Sequence, residues 1–334
     1  MPVTLKDVAE LAGVSTSAVS RAFTEGASVS DKMRAKVQAA ADELGYHPNA
    51  LASGLTTGRT KLIGLISNNF HNPIFLEVFD RFTRGLQERG LRPLIVNLTD
   101  ETAPDASVRL LRQYSVDAVI VASSTLPPTF ARAFREAGLP VVHTFGRRNA
   151  RPKVDVIGID NVACGALAGQ TLIARGYRQI AFLGGPKAAT STQDRLRGFL
   201  EATAGSADLC VSHSFAQAYS FEAGRDEMRR LLEAGCAEAY FCGDDVLSIG
   251  AMAALRGAGL RVPEDVGVIG LNDMEMAGWD NVALTTIRQP LAEIIEASID
   301  RVITLLGAPE ALPRSRVMGC VLVERGTLRP LPSA

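Results

Sequence analysis

From residue 61 onward short apolar runs alternate with amphipathic stretches almost to the end of the chain, whereas before residue 48 only helical periods occur. In that first part Leu5, Val8, Ala9 and Ala12 share one face of a first helix. Thr4 caps it, Asp7 completes a capping-box pair, and Gly13 ends it. Only Val14 intervenes before Ser15, the next capping residue, and residues 16–23 form a second helix with Val19, Ala22 and Phe23 turned inward. Ser30 opens a third helix, in which Met33, Val37, Ala40, Ala41 and Leu44 recur at helical spacing up to Gly45. Two short helices joined by a tight glycine turn make a helix-turn-helix, and the third completes a minimal core.

The later pattern predicts strands at residues 62–66, 93–97, 117–122, 140–143 and 154–159, then 180–184, 209–212, 239–243, 266–270 and 285–288. Helices fill the gaps, for example over 74–88 and 127–137. Such alternation means parallel sheets covered by helices, and ten short strands suit two similar lobes better than one open sheet. A ligand of such sheets sits outside the carboxyl ends of the strands, here facing a cleft between lobes. Between the two parts, Pro48 stops the third helix and Asn49 can cap a short one with Ala50, Leu51, Ala52 and Leu55 on its apolar side. Gly54 weakens that helix, which falls well below the ~12–15 residues of a stable isolated helix. It should therefore be helical only when something packs against it.

Composition narrows the choice by exclusion. A length of 334 residues suggests two or three domains, and a net charge near −1 gives no global sign of a nucleic-acid or membrane binder. Residues 1–60 carry six basic and six acidic side chains, so DNA binding would rest on charge placement, helix N-termini aimed at phosphates and a second subunit. Thr16, Ser17 and Arg21 lie on the outer face of the second helix, where they can reach base edges in a major groove. The five cysteines are scattered without metal spacing, as in a reducing cytoplasm. The N-terminus lacks a signal-peptide profile and no apolar run reaches the ~18–20 residues of a membrane span, so a cytoplasmic location is expected. No dinucleotide or phosphate-binding glycine loop, Gly-x-Ser-x-Gly elbow or His-Glu-x-x-His occurs, and the four histidines lie far apart. Neither catalysis nor a cofactor nor a metal is expected.

Val3-Thr4-Leu5-Lys6-Asp7-Val8-Ala9, Ala12-Gly13-Val14-Ser15, Val19-Ser20-Arg21 and Leu44-Gly45-Tyr46-His47-Pro48-Asn49-Ala50-Leu51-Ala52 resemble the signature of the LacI/GalR family of bacterial transcription regulators. Arg195-Leu196-Arg197-Gly198-Phe199, residues 259–266 and Leu284-Thr285-Thr286-Ile287-Arg288-Gln289-Pro290 extend the likeness over essentially the whole chain. The resemblance implies a small all-α helix-turn-helix DNA-binding domain plus an α/β two-lobed core like that of periplasmic binding proteins, with parallel sheets. Residues 1–48 would be the DNA-binding domain, 49–60 the hinge helix and linker, and 61–334 the effector-binding and dimerisation core. Within the core, lobe 1 would take about 61–160 and 289–318, and lobe 2 about 161–288 and 319–334, with crossings near Asp160, Arg288 and Gly319.

Carried over by motif, Thr4, Thr16, Ser17, Ser20, Arg21, Asn49, Ala52 and Leu55 would contact DNA. Ile74, Phe75, Phe145, Asp160, Ser191, Arg195, Tyr219, Asp244 and Asn272 would line the effector site. Phe75, Phe145 and Tyr219 could cover the C–H face of a sugar, while Arg195, Asp160, Asp244 and Asn272 offer directional hydrogen bonds. Asn272 stands where many relatives have aspartate, and Arg147 and Arg148 follow Phe145; both features favour tolerance of an acidic or phosphorylated ligand. The expectation is a homodimeric repressor of a carbohydrate uptake or catabolism operon. It would bind a pseudo-palindromic operator in double-stranded DNA and answer to a sugar or sugar acid. No leucine heptad follows Arg329, which favours a dimer over a tetramer. The alternatives are regulation by a corepressor, or a cytoplasmic small-molecule-binding protein whose N-terminal domain contacts a protein.

Overall fold

In the computed structural model the described residues are 3–24, 26–47, 54, 58–98, 103–205 and 208–332, so the expectations on Asn49, Ala52, Leu55 and the hinge helix lie outside them. The chain divides into two compact units, Met1–Leu62 and Ile63–Ala334.

The first unit contains α1 (Leu5–Leu11), α2 (Thr16–Phe23) and α3 (Asp31–Leu44). Asp7 Oδ2 accepts from the Thr4 amide at 2.8 Å and the Thr4 hydroxyl at 2.7 Å, which fixes the start of α1. The Ser15 and Ser30 hydroxyls accept from the amides of Ala18 and Met33 at 3.2 and 3.3 Å, satisfying otherwise orphaned donors of α2 and α3. Gly45 takes the left-handed conformation, φ +64°, that closes α3. Val8, Ala9, Ala12, Val19, Ala22, Val37, Ala40 and Ala41 form the core, with Phe23 and Tyr46 in ring contact at its edge. With mostly alanine and valine inside, three short helices can approach closely enough to exclude water.

The second unit holds two six-stranded sheets. The first contains β1 (Leu62–Ser67), β2 (Arg92–Asn97), β3 (Ala118–Ala122), β4 (Val141–Thr144), β5 (Asp155–Ile159) and β11 (Ser315–Met318), in the order β11-β5-β4-β3-β1-β2. From β11 to β1 neighbouring strands run parallel. The second contains β6 (Gln179–Gly184), β7 (Cys210–Phe215), β8 (Ala239–Cys242), β9 (Gly267–Asn272), β10 (Thr286–Arg288) and β12 (Val321–Val323), in the order β12-β10-β9-β8-β6-β7. Only the edge strand β12 is antiparallel to its neighbour. Helices α4 (Ile74–Glu88), α5 (Pro104–Gln113), α6 (Pro128–Glu136) and α11 (Leu291–Gly307) belong with the first sheet. Helices α7 (Asn161–Ala174), α8 (Thr190–Thr203), α9 (Phe221–Ala234) and α10 (Asp245–Gly257) belong with the second. The chain passes from one sheet to the other after β5, returns between β10 and α11, and passes again between β11 and β12.

β11 and β12 are additions to the ten strands read from apolar runs. Both are short edge strands with half-exposed side chains, so they carry no continuous apolar run to announce them. The central strands β3, β4 and β5 are buried along their whole length, as expected of parallel strands covered on both faces. In the first lobe Phe82 and Leu86 of α4 pack with Ile294, Ile299 and Val302 of α11 and with Ile63 and Leu65 of β1. In the second, Phe182, Phe199 and Phe241 form a three-ring cluster with centroids 5.4 to 6.2 Å apart. Gly165 of α7 and Gly198 of α8 let these helices touch backbone to backbone. A Cβ on either would come within 2.0 Å of a carbonyl oxygen, of Arg195 (1.9 Å) and Val162 (1.8 Å) respectively. This close pairing sets the position of Arg195. Among the described residues no helix is long and apolar enough to cross a membrane.

Candidate functional site: a recognition helix and an interlobe cleft

In the first unit Val19 and Ala22 of α2 point into the core, leaving Thr16, Ser17 and Arg21 exposed and Ser20 half-exposed on the other side. Arg21 Nε donates to the Ser17 carbonyl at 3.4 Å, which lays the side chain along the outer face. Ser15 and Ser17 hydroxyls lie 3.0 Å apart at the helix start. Thr4 is exposed, but its hydroxyl and amide are both spent on Asp7. This gives α2 a short polar surface with one cation, of a size a major groove admits.

In the second unit a narrow cleft, with about 30 Å³ of cavity volume, lies where the strand ends of both sheets meet. Ile74 and Phe75 open α4 after β1, Phe145 follows β4, Arg195 comes from α8, Tyr219 precedes α9, Asp244 lies between β8 and α10, and Asn272 ends β9; all seven line it. Phe145 meets Phe75 edge to face with ring centres 6.3 Å apart. Its backbone stands at φ +67°, a conformation costly for an aromatic residue and held by its amide donating to the Ile157 carbonyl at 2.7 Å. Tyr219 lies flat on Gly185, where a Cβ would be 2.4 Å from the ring, and its hydroxyl bonds Thr192 at 2.7 Å. The turn Gly184-Gly185-Pro186 at the end of β6 thus also makes room for a wall of the cleft.

The polar groups are arranged around two charges. Arg195 is buried; its Nε donates to Asn161 Oδ1 at 2.8 Å and its Nη1 to the Gly243 carbonyl at 2.6 Å. Both acceptors are neutral oxygens. Asp244 Oδ1 accepts from the Val246 amide at 2.9 Å, capping α10, while Oδ2 accepts from Asn72 and Asn272, both at 2.8 Å. Burial raises the Asp244 carboxyl above the ordinary aspartate range, against those hydrogen bonds and the nearby Arg195. Gln289 Nε2 donates to Asn272 Oδ1 at 2.8 Å and holds that amide in register. Asn72 belongs to the first lobe and Asp244 to the second, so their bond closes the cleft directly. Behind it Asp245 accepts from Thr286 and the Met274 amide at 2.5 and 2.8 Å, and burial pushes its carboxyl up to about 7.

Two expected residues stand elsewhere. Ser191 is buried behind Tyr219, 3.4 Å from its hydroxyl, and does not line the cleft. Asp160 caps α7 through the amides of Val162 and Ala163, both at 3.1 Å, and pairs with Arg148 at 2.7 Å. It lines an adjoining charged cavity with Arg147, Arg148, Asp194 and Arg197. There Arg147 grips Asp194 from across the lobes with two bonds of 2.8 and 2.7 Å. The two arginines that suggested an acidic ligand are thus already committed to carboxylates. The anion missing at Asn272 is supplied by Asp244 beside it. Sequence reasoning missed Asn69, Asn72, Ser124, Asn161 and Gln289, which also line the cleft. Each is a small polar residue just beyond a strand end, a weak signal that is visible in retrospect.

Residues 4–49 match the family model described as bacterial regulatory proteins, lacI family, and residues 170–328 match that of the periplasmic binding protein-like domain. The ribose operon repressor of Escherichia coli (strain K12) is 34% identical over 329 residues, 97% of this chain and 99% of that protein. The transcriptional repressor PurR of Pectobacterium carotovorum is 34% identical over 294 residues, 86% of this chain and 85% of that one. Among solved structures, the lac repressor dimer bound to operator and the anti-inducer ONPF superposes with a TM-score of 0.87 at 27% identity, covering 98% and 99% of the two chains. With two matching family models and full-length relatives above 30% identity, the chain belongs to the lacI family of bacterial regulatory proteins.

Proposed function

We propose that this protein is a homodimeric, sequence-specific DNA-binding repressor whose operator affinity is set by a small neutral sugar bound between the two lobes. The observation that carries the effector class is the balance of charge inside the cleft: one guanidinium, Arg195, and one carboxylate, Asp244, among neutral amides and hydroxyls. Neutral polyols offer alternating donors and acceptors to such a set, while Phe75, Phe145 and Tyr219 supply apolar surface for a ring's C–H face. A sugar acid or phosphate would bring a second anion next to Asp244 with Arg147 and Arg148 already paired elsewhere.

The regulatory reading draws on the helix-turn-helix in the same chain and on relatives named as operon repressors. α2 would enter the major groove with Thr16, Ser17, Ser20 and Arg21, and Asn49, Ala52 and Leu55 would follow the backbone and the minor groove. The solved lac repressor is a dimer on its operator, and a two-fold dimer would present α2 twice, giving a pseudo-palindromic site. Effector would change the angle between lobes at the three chain passages and so the geometry of the paired DNA-binding units. Such a protein works inside the cell, on DNA, and needs no catalytic step. A thermal-shift panel of the full chain against neutral pentoses and hexoses, the matching sugar acids and the sugar phosphates tests the effector class. A rise in midpoint confined to neutral sugars is expected; a rise only with acids or phosphates overturns it.

A further inference from the structure

Two cysteines that lie far apart in the sequence meet at the hinge. Cys164 is on the first turn of α7, just after the first passage between sheets, and Cys320 stands between β11 and β12, in the third. Parallel pairing of β11 with β5 places Met318 beside Ile159, so the two passages leave the first sheet side by side. Cys164 is buried in the core cluster, and the half-exposed Cys320 packs against that cluster. Each thiol is the strongest influence on the other's ionisation, so the two lie close together. Arg195 is close enough to favour the thiolate of both, and Gly165, the next residue after Cys164, packs against the Arg195 carbonyl. The other three cysteines lack this setting. Cys210 is exposed on the sheet edge, Cys236 is engaged with Tyr240, and Cys242 is fully buried.

We propose that Cys164 and Cys320 form a reversible disulfide under peroxide stress and thereby fix the hinge. Cys320, the more accessible of the two, is held below the ordinary thiol range by the neighbouring Cys164 thiol and by Arg195, against burial and Asp160. Its thiolate attacks one oxygen of hydrogen peroxide; an S–O bond forms, the O–O bond breaks, and hydroxide leaves to become water. The resulting sulfenic acid faces Cys164. The Cys164 sulfur attacks it, the S–S bond forms, the S–O bond breaks and a second water departs. Two thiols lose two electrons and two protons, and one peroxide becomes two waters. A dithiol reductant reverses the step by exchange. Such transient pairs are the usual form of disulfide in a reducing compartment. Linked in this way, two of the three passages can no longer shift against each other beside Arg195. The consequence for regulation rests on the function proposed above: the oxidised protein should lose its response to effector.

The test uses the full-length protein treated with hydrogen peroxide, followed by thiol titration in denaturant and non-reducing peptide mass spectrometry. Two of the five thiols should disappear, and trypsin should release residues 154–175 joined to 317–325. Dithiothreitol should restore all five thiols. Cys320→Ser should abolish the link and Cys210→Ser should leave it intact. The urea midpoint of wild type and of Cys210→Ser should rise on oxidation, while that of Cys320→Ser should not. Retention of all five thiols, a link through Cys210 between chains, or Cys320 carried to sulfinic acid without pairing would each overturn the proposal. These outcomes require no effector. A correct link with an unaltered effector response would overturn only its regulatory consequence.

Discussion

Arg195 is the side chain on which most of the cleft's polarity depends. It is buried, its recorded bonds go to neutral oxygens, and Asp244 is the carboxylate that shares the cleft. Arg195→Ala should reduce effector affinity at least tenfold in a calorimetric titration, since charge-assisted bonds contribute about 1.5–3 kcal/mol each. Effector-free operator binding should stay unchanged. Two buried titratable groups act on stability with opposite signs. Asp245 titrates near 7 in the native protein against an ordinary 3.8, so the native state holds its proton more tightly and stability falls as pH rises from about 4 to 7. His143 is pushed down to about 4 by burial, so its contribution is present above its ordinary 6.5 and is lost as pH falls toward 4. The two slopes offset one another between pH 4 and 6.5. Asp245→Asn should therefore make the core's thermal midpoint drop more steeply on acidification than in wild type. An identical pH profile for the two proteins would remove Asp245 from the balance.

Helices and strands differ in how openly the sequence announces them. α1, α2 and α3 are legible because their starts carry Thr4, Ser15 and Ser30, glycine closes α1 and α3, and their inward residues keep one period. The central strands are legible because burial on both faces demands continuous apolar runs. β11 and β12 are not, since edge strands need only half a pattern. In the cleft, Phe75, Phe145, Arg195, Tyr219, Asp244 and Asn272 were legible through the family motif at strand ends. Asn161 and Gln289 were not, because an amide is as common in a turn as in a site. Ser191 shares its helix start with the site, yet the Tyr219 ring covers it. Two predictions belong to this scale. Arg21→Ala on α2 should cost about 1–3 kcal/mol of operator binding and relax one base position in each half-site, as read from selected binding sites. Gly165→Ala would drive a methyl into the Arg195 carbonyl, 1.9 Å from its ideal position. The helix pair must then separate, at a cost of about 1–3 kcal/mol or more in stability, and effector affinity should fall together with the displaced Arg195.

Across the whole molecule, the proposed effector cleft and the proposed recognition helix lie in different units, so the proposed regulation is a coupling between sites. The cleft is held from both sides by the Asn72–Asp244 bond and the Arg147–Asp194 pair, each joining one lobe to the other. In the proposed mechanism a ligand that takes over the partners of Asp244 would change what joins the lobes, and the three passages would carry that change. Such couplings are typically about 1–3 kcal/mol, a roughly 5- to 150-fold change in affinity, and they are reciprocal. The most direct test is a calorimetric titration of the effector into the full-length protein with and without operator DNA. If effector acts as an inducer, operator should weaken effector binding by the same factor by which effector weakens operator binding. Equal effector affinities in the two titrations would mean that cleft and DNA are uncoupled, and would contradict the account.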